Sequence, residues 1–387
     1  MIILRKITKI CLIILFNFIF ILSFIVVSAE EELVRYSKNA IVIECDTGDV
    51  LYEKNPDENR YPASTTKIMT IKLVLDALND GIIKKDQVLT TSEHAASMGG
   101  SQIYLSPYEQ MTVEDLLKAV VIASANDAAV VLAEAISGTE ELFVKKMNDE
   151  AARLKMTNTN YKNATGLHDR EHYSSARDLS IISRELILKY EDQIIPLSST
   201  YEDYLRKDTN SPFWLVNTNK LIKSKYNIDG LKTGWTNEAG YCLVATKKQN
   251  NMRVITVVMG ADTPTNRNDD VVRLFNYAYA TYEKLLISPK GSIVKTEENL
   301  LYNPSIYNIV LSQDIARIIK KSSNEGIITY ELIIEKDING CENGTKIGKM
   351  KVYIDDKLYQ EVDVELKDSV KKSTFIELFL IILDSIL

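Results

Sequence analysis

Two β-hairpin patterns separated by a long helical stretch constrain the fold of this chain more than any other feature. The first joins residues 40–44 to residues 50–53 through the turn Asp46-Thr47-Gly48, and the second joins residues 241–246 to 253–259 through a polar turn. Strands at both ends of a segment form one sheet when the helices between them pack on its faces. The order predicts an α/β (α+β) fold, an antiparallel sheet covered by a helical cluster.

Helical periodicity fills the stretch between the hairpins. The first helix carries the apolar stripe Ile68, Ile71, Leu75 and Leu78 and stops near Gly81. Further helices are predicted over residues 113–119, 127–136, 140–154 and, after the second hairpin, 269–286. Short β-rich runs at 327–334, 349–354 and 358–366 predict a small all-β domain over residues 291–369, which follows a larger domain over residues 33–287.

The two ends of the chain carry apolar segments. Three basic residues precede an apolar run that ends in Val27-Ser28-Ala29, which predicts a signal peptide over residues 1–29 and an exported protein; a permanent membrane helix is the alternative. The tail, residues 370–387, would be on the order of 20 Å long as a helix, and a bilayer core needs about 30 Å. Its pattern predicts a membrane-interface helix, or else a helix docked on the protein's own surface.

Composition excludes several classes of function. The net charge of −7 comes with no basic stripe, which excludes nucleic-acid binding. Three cysteines remain after the signal segment and show no C-x-x-C spacing, which argues against a disulfide framework and a zinc site. No metal site is predicted: the three histidines, His94, His168 and His172, include no H-E-x-x-H pattern, and His168 and His172 are interpreted as surface polar residues.

The segment Ser64-Thr65-Thr66-Lys67 begins the first helical pattern. Ser64 and Lys67 are three residues apart, so they share a helix face and the lysine amine can reach the serine hydroxyl. A serine becomes a good nucleophile when a base takes its proton, and a lysine can act as that base when burial or a nearby cation lowers its pKa. The same pattern also fits an ordinary surface turn of a helix.

Two further polar segments lie in apolar surroundings. Ser124-Ala125-Asn126 separates two helical patterns, which is typical of a loop pushed into a cleft, or of a helix break with Ser124 or Asn126 as the N-cap. Lys232-Thr233-Gly234-Trp235-Thr236 precedes the second hairpin. It offers a cation, a hydroxyl and a glycine that a substrate backbone can approach, although a plain strand with an exposed lysine gives the same pattern.

In this order the three segments resemble the S-x-x-K, S-x-N and K-T-G motifs of the serine β-lactamases and penicillin-binding proteins. Over residues 33–368 the chain is similar to the low-molecular-mass penicillin-binding proteins, which are serine-type D-alanyl-D-alanine carboxypeptidases; residues 233–246 resemble the sporulation-linked branch. The resemblance implies a penicillin-binding/β-lactamase-like fold and an enzyme at the outer face of the bacterial cytoplasmic membrane. It also implies peptidoglycan stem peptides as substrates, β-lactams as covalent inhibitors, and no cofactor.

The resemblance also implies a role for each matching residue. Ser64 would attack the carbonyl between two D-alanines, Lys67 would take its proton, and Ser124 would relay a proton to the leaving D-alanine. The substrate would be held by the amide of Asn126, the charge of Lys232 and the hydroxyls of Thr233 and Thr236. Backbone N–H groups of Ser64 and Trp235 would form an oxyanion hole, beside Gly234.

One position departs from the family pattern, and two alternatives are open. Asn217-Thr218-Asn219 has threonine where some members carry an arginine that helps to hold the substrate carboxylate. A class A β-lactamase would have aspartate at Ala125 and an E-x-x-L-N run before Lys232, and both are missing. A catalytically silent cell-wall-binding relative is the other alternative, against which the intact motifs argue. The balance of carboxypeptidase, endopeptidase and transpeptidase activity is left open.

Overall fold

The two hairpins pair into one sheet, as the sequence predicts. In the computed structural model, which describes residues 32–323 and 326–386, five antiparallel strands lie in the order β2-β1-β9-β8-β7. The strand bounds are β1 Asn39–Glu44, β2 Val50–Lys54, β7 Gly230–Thr236, β8 Gly240–Gln249 and β9 Met252–Ala261. Ala40 of the first hairpin lies opposite Val258 of the second. Strand β7 is an edge strand, so one of its sides stays open.

Helices occupy the stretch between the hairpins and the segment after them. Their bounds are α1 Lys67–Asn79, α2 Glu93–Ala96, α3 Val113–Lys118, α4 Asn126–Ser137, α5 Glu140–Arg153, α6 Ala176–Ser199, α7 Pro264–Thr281 and α8 Phe375–Ile386. Two 3-10 turns (Ala63–Thr66 and Lys220–Lys223) and one π-helical turn (Ala119–Ala123) lie among them. Two small ribbons pair β3 Val88–Thr90 with β4 Gln110–Thr112 and β5 Glu202–Leu205 with β6 Phe213–Val216.

Both faces of the sheet are covered. Ile255 and Val257 of β9 belong to the core that the sheet shares with the helical cluster, whereas the alternate residues Val254 and Val258 are equally buried. Helix α6 packs against β1, β7 and β9, and α7 packs against β8 and β9. A strand buried on both faces carries a nearly continuous apolar run, as β9 does.

The sequence misjudged two helices. Helix α6 was not predicted, although Ser175 caps its start by accepting from the N–H of Asp178. The last predicted helix, over residues 269–286, was wrong at both ends, since α7 begins at Pro264 behind the capping residue Thr263 and ends at Thr281. The chain then continues as strand β10 (Tyr282–Ser288), because a short apolar run fits a strand as well as a helix.

The C-terminal region is built from strands and has a core of its own. Its remaining strands are β11 Ile293–Glu298, β12 Tyr302–Asn303, β13 Ile306–Leu311, β14 Ile315–Lys320, β15 Ile328–Ile334, β16 Lys346–Ile354, β17 Lys357–Leu366 and β18 Lys371–Lys372. Five of them form a sheet in the order β11-β13-β17-β16-β15. The predicted domain boundaries at 33–287 and 291–369 stay predictions, and the predicted signal peptide over residues 1–29 lies outside the described residues.

Candidate active site

Ser64 lies in a tight turn directly before helix α1. The 3-10 turn Ala63–Thr66 is fixed by Thr65, whose N–H and hydroxyl both donate to the carbonyl of Pro62, at 3.2 and 2.6 Å. Ser64 is half-buried while its neighbours in the turn are buried. The sequence predicted Ser64 at the start of the helix, and the turn places it one step earlier, with its hydroxyl toward Lys67.

Lys67 is fully buried among three oxygen atoms. Its Nζ lies 3.1 Å from Ser64 Oγ, 2.6 Å from Asn126 Oδ1 and 2.7 Å from the carbonyl oxygen of Thr165. Burial lowers the pKa of this amine well below its ordinary value, the positive charge of Lys232 lowers it further, and Asp127 opposes the shift. The amine is therefore poised to be uncharged beside a single hydroxyl.

The second motif lies where two helices meet. The π-helical turn Ala119–Ala123 ends at Ser124, which adopts a left-handed conformation with φ of 62°. Ser124 Oγ is buried and makes no hydrogen bond within the described part of the chain. The N-cap of α4 is Ala125 and no side chain caps that helix, so the alternative in which Ser124 or Asn126 acts as the cap is wrong.

Asn126 is locked as the first residue of α4. Its Nδ2 donates to the carbonyl of Gly99 at 2.6 Å and its backbone N–H donates to that of Ser101 at 2.7 Å. The next residue, Asp127, is fully buried and accepts from the N–H groups of Ile103 and Leu105. Sequence reasoning missed Asp127, although a charged residue directly before the apolar run 128–133 was a usable signal of a buried, paired carboxylate.

The third motif lies on the open edge strand β7. Lys232 is buried, and burial followed by the charge of Arg267 lowers its pKa to about 7; its Nζ donates to the carbonyl of Thr233 at 3.2 Å. Strand β7 lies against the Ser64 turn, since a Cβ added at Gly234 would come within 2.8 Å of the Pro62 carbonyl and 3.1 Å of Ser64 N. The three predicted motifs therefore meet around Ser64.

The last two residues of the third motif lie further out. The side chain of Trp235 is 53% exposed, with its ring 5.8 Å from that of Tyr241. Thr236 Oγ1 accepts from the N–H of Ala239 at 3.1 Å, so it also closes the turn to β8. The hydroxyl of Thr218, the position that departs from the family pattern, lies 2.6 Å from that of Thr233.

A loop of residues 163–167 supports the site from behind. Asn163 Oδ1 accepts from the N–H groups of Thr165 (3.2 Å) and Gly166 (2.7 Å), which aims the Thr165 carbonyl at Lys67. Gly166 has φ of +83°, and a Cβ there would collide with the carbonyl of Ala63. Only a glycine lets the loop approach the Ser64 turn so closely. The sequence analysis did not find the contact between this loop and Lys67.

One histidine contradicts the sequence-based interpretation. His172, predicted as a surface residue, is 1% exposed; its Nδ1 accepts from the N–H of Lys162 and its Nε2 donates to Thr66 Oγ1 at 2.9 Å. Burial lowers its pKa to about 4, which keeps the ring neutral beside the Ser64 turn. The polar sequence around it gave no sign of this burial. Across the described ranges, no cluster of three or more His, Cys, Asp or Glu side chains could hold a metal ion.

Comparison with known proteins decides the family. The sequence pattern of the peptidase family described as D-alanyl-D-alanine carboxypeptidase matches residues 26–263, more than half of the chain. The chain belongs to this family. Residues 282–372 match a second pattern, the C-terminal domain of penicillin-binding protein 5. The predicted family, enzyme class, carboxypeptidase activity and fold are thereby confirmed, and the β-lactamase and silent-relative alternatives are not favoured.

Individual relatives agree with the family. The carboxypeptidase DacF of Bacillus subtilis is 45% identical over 89% of this chain and 88% of its own length. Penicillin-binding protein 5 of Haemophilus influenzae superposes with a TM-score of 0.70 at 30% identity, covering 87% of this chain and 98% of that one. Cefotaxime-bound penicillin-binding protein D2 of Listeria monocytogenes gives a TM-score of 0.57 at 32% identity, over 63% of this chain and 97% of that one.

Proposed function

We propose that this carboxypeptidase removes the terminal D-alanine of peptidoglycan stem pentapeptides through an acyl-enzyme on Ser64, and that β-lactams acylate the same hydroxyl. The observation that carries the proposal is the 3.1 Å approach of Lys67 Nζ to Ser64 Oγ, made by a fully buried amine with a lowered pKa. An uncharged amine has two N–H donors and one lone pair. Asn126 Oδ1 and the Thr165 carbonyl take the donors, which leaves the lone pair for the proton of Ser64.

Acylation then follows from the positions of the other groups. Ser64 Oγ bonds to the carbonyl carbon while its proton moves to Lys67, and the negative charge on the carbonyl oxygen is stabilised by the N–H groups of Ser64 and Trp235. The close approach of Gly234 to Ser64 N supports this pairing of donors from the turn and the strand.

The leaving D-alanine needs a proton as the C–N bond breaks. Ser124 Oγ is buried and unpaired within the part of the chain that the structure describes, so its hydroxyl is available to pass the proton from Lys67 to the leaving nitrogen. Water then attacks the ester on Ser64 and gives up a proton to Lys67. The bond between Ser64 Oγ and the acyl carbon breaks as that proton passes to Oγ, which releases the shortened peptide and leaves Lys67 uncharged again. Lys232 makes the cleft electropositive, and Thr233 lies at the strand edge for the substrate carboxylate.

The test is release of D-alanine from a pentapeptide ending in D-Ala-D-Ala, run beside labelling with a fluorescent penicillin. Ser64→Ala is expected to abolish both, and Lys67→Ala to slow both by about a hundredfold or more, the range of a general base. Ser97→Ala, an exposed serine on another loop, is the matched control and is expected to behave as wild type. Release that survives in Ser64→Ala would refute the assignment of the nucleophile.

We infer that the mature enzyme is exported and held at the outer membrane face by its tail. No helix among the residues described is long and apolar enough to cross a membrane. Helix α8 leaves Phe375 84% and Phe379 55% exposed, with Ile376, Leu380 and Leu383 also exposed, whereas Glu377 accepts from the N–H of Thr374 and from Asn303. An apolar face with a polar anchor on the protein side supports an interfacial helix.

Sedimentation with vesicles of phosphatidylglycerol and phosphatidylethanolamine tests the tail. The full mature chain is expected to sediment with the vesicles, and the double variant Phe375→Ser, Phe379→Ser to remain in solution. The control is Ile327→Ser in the C-terminal β-rich region, which also replaces a strongly exposed apolar residue with serine. Equal sedimentation of all three proteins would contradict membrane anchoring through α8.

A further inference from the structure

Two threonine hydroxyls meet at the open edge of strand β7. Thr233 Oγ1 lies 2.6 Å from Thr218 Oγ1, and the structure has Thr233 donating and Thr218 accepting. Thr233 is 8% exposed and Thr218 is half-buried. The pair is therefore largely shielded from bulk water. In bulk water, a water molecule would readily replace either hydroxyl as a hydrogen-bond partner.

The number of protons on the two hydroxyls determines how the pair can bind an anion. A threonine hydroxyl has one proton and two acceptor lone pairs. When Thr233 turns its proton toward an anionic ligand, its bond to Thr218 survives only if Thr218 becomes the donor. Thr218 can do so because its own hydroxyl proton is available for that rotation. The two hydroxyls thus form a relay that keeps Thr233 Oγ1 in place in both states.

The backbone around Thr218 holds it rigidly against both other parts of the site. Its N–H donates to the carbonyl of Ile122 at 3.2 Å, in the π-helical turn that ends at Ser124. Asn217 Nδ2 donates to the carbonyls of Ser198 and Thr200, and Asn219 Nδ2 donates to the carbonyl of Gly230 on β7. The segment Asn217-Thr218-Asn219 therefore spans the second motif, helix α6 and the third motif.

We propose that Thr218 is a positioning residue for recognition of the substrate's terminal carboxylate, acting through the hydroxyl of Thr233. This assignment rests on the proposed function and adds a specificity determinant to it. Thr218 touches the substrate through no atom of its own; it fixes the rotamer of Thr233 and supplies the hydrogen bond that Thr233 accepts while donating to the carboxylate. Its effect is therefore confined to substrates that carry that negative charge.

The experiment compares two forms of one peptide, diacetyl-lysyl-D-alanyl-D-alanine with a free carboxylate and the same peptide as its C-terminal amide. Thr218→Val keeps the side-chain shape and is expected to lower kcat/KM for the acid about tenfold, the scale of one hydrogen bond to a charged group. Hydrolysis of the amide is expected to stay within about twofold of wild type, because the carboxylate contact is missing there already.

Two further variants separate positioning from general structural damage. Thr218→Ser keeps the hydroxyl and is expected to restore the acid-over-amide preference. Thr296→Val removes an exposed threonine hydroxyl of the C-terminal β-rich region, which donates to Asn308 Oδ1, and is expected to leave both substrates unchanged. Equal losses on acid and amide in Thr218→Val, or no loss on either, would overturn the role of Thr218. If the wild-type enzyme releases no D-alanine from the acid, or if Ser64→Ala still releases D-alanine, the proposed function itself is refuted.

Discussion

Replacing Gly234 with alanine tests whether strand β7 and the Ser64 turn form one rigid unit. The added methyl would lie 2.8 Å from the carbonyl oxygen of Pro62 and 3.1 Å from both Ala63 Cβ and Ser64 N. All three contacts are to the backbone or to a methyl group, and none can swing away as a long side chain would. The turn and the strand must therefore move apart.

The size of that movement sets the expected effect. Ordinary contact begins at 3.4 Å, so the Pro62 contact is short by about 0.6 Å. Because a misplacement of about 1 Å costs on the order of a hundredfold in rate, we expect acylation to slow by roughly ten- to a hundredfold. Overpacking costs about 1–3 kcal/mol, and the stiffer unfolded chain offsets about 0.4–1 kcal/mol of that. The free energy of unfolding is thus expected to fall by only about 1–2 kcal/mol.

The assay is the second-order rate of labelling by a fluorescent penicillin, with urea denaturation of the same preparations. Gly99→Ala is the matched control, since a Cβ at Gly99 meets no atom within 4 Å and its φ is not positive. Gly234→Ala labelled as fast as Gly99→Ala would refute the claim that this contact aligns the site. A rate loss that merely follows the unfolded fraction would refute it as well.

Three further outcomes follow from the electrostatics of the buried groups. Lys232→Met removes a charge that lowers the pKa of Lys67, so Lys67 takes its proton at higher pH and the acid limb of the acylation profile should move to higher pH; an unchanged limb contradicts the coupling. The folded pKa of His172, about 4, lies below its value near 6.5 in the unfolded chain, so the unfolded state binds more protons between these pH values. Wild type should lose up to about 3 kcal/mol of stability as pH falls through that window, and His172→Gln should show a flatter urea-midpoint profile. Asp127→Asn should cost about 1–3 kcal/mol of unfolding free energy because the backbone N–H of either Leu105 or Ala128, each bonded to one carboxylate oxygen, loses its acceptor; a stability equal to wild type would contradict that role.

Local patterns in the sequence carried most of the fold. The hairpin turns and the apolar patterns beside them predicted the bounds of β1, β2, β8 and β9 closely. Turn residues and the spacing of apolar residues are both set by neighbours in the chain. Helix α1 followed from its stripe for the same reason. The predicted end of α7 was wrong because the residues after Thr281 can continue a helix or pair as a strand. They form strand β10 because β14 lies beside them.

The sequence by itself determined the three motifs, their order and hence the family, because the chemistry of acyl transfer limits which residue types can serve. Only the tertiary structure decided which carbonyl and which amide take the donors of Lys67, that His172 is buried behind the turn, and that Thr218 meets Thr233. These contacts join residues far apart in the chain. The burial of a group and the direction of its pKa shift depend on all the residues that pack around it. A local sequence pattern does not identify those residues.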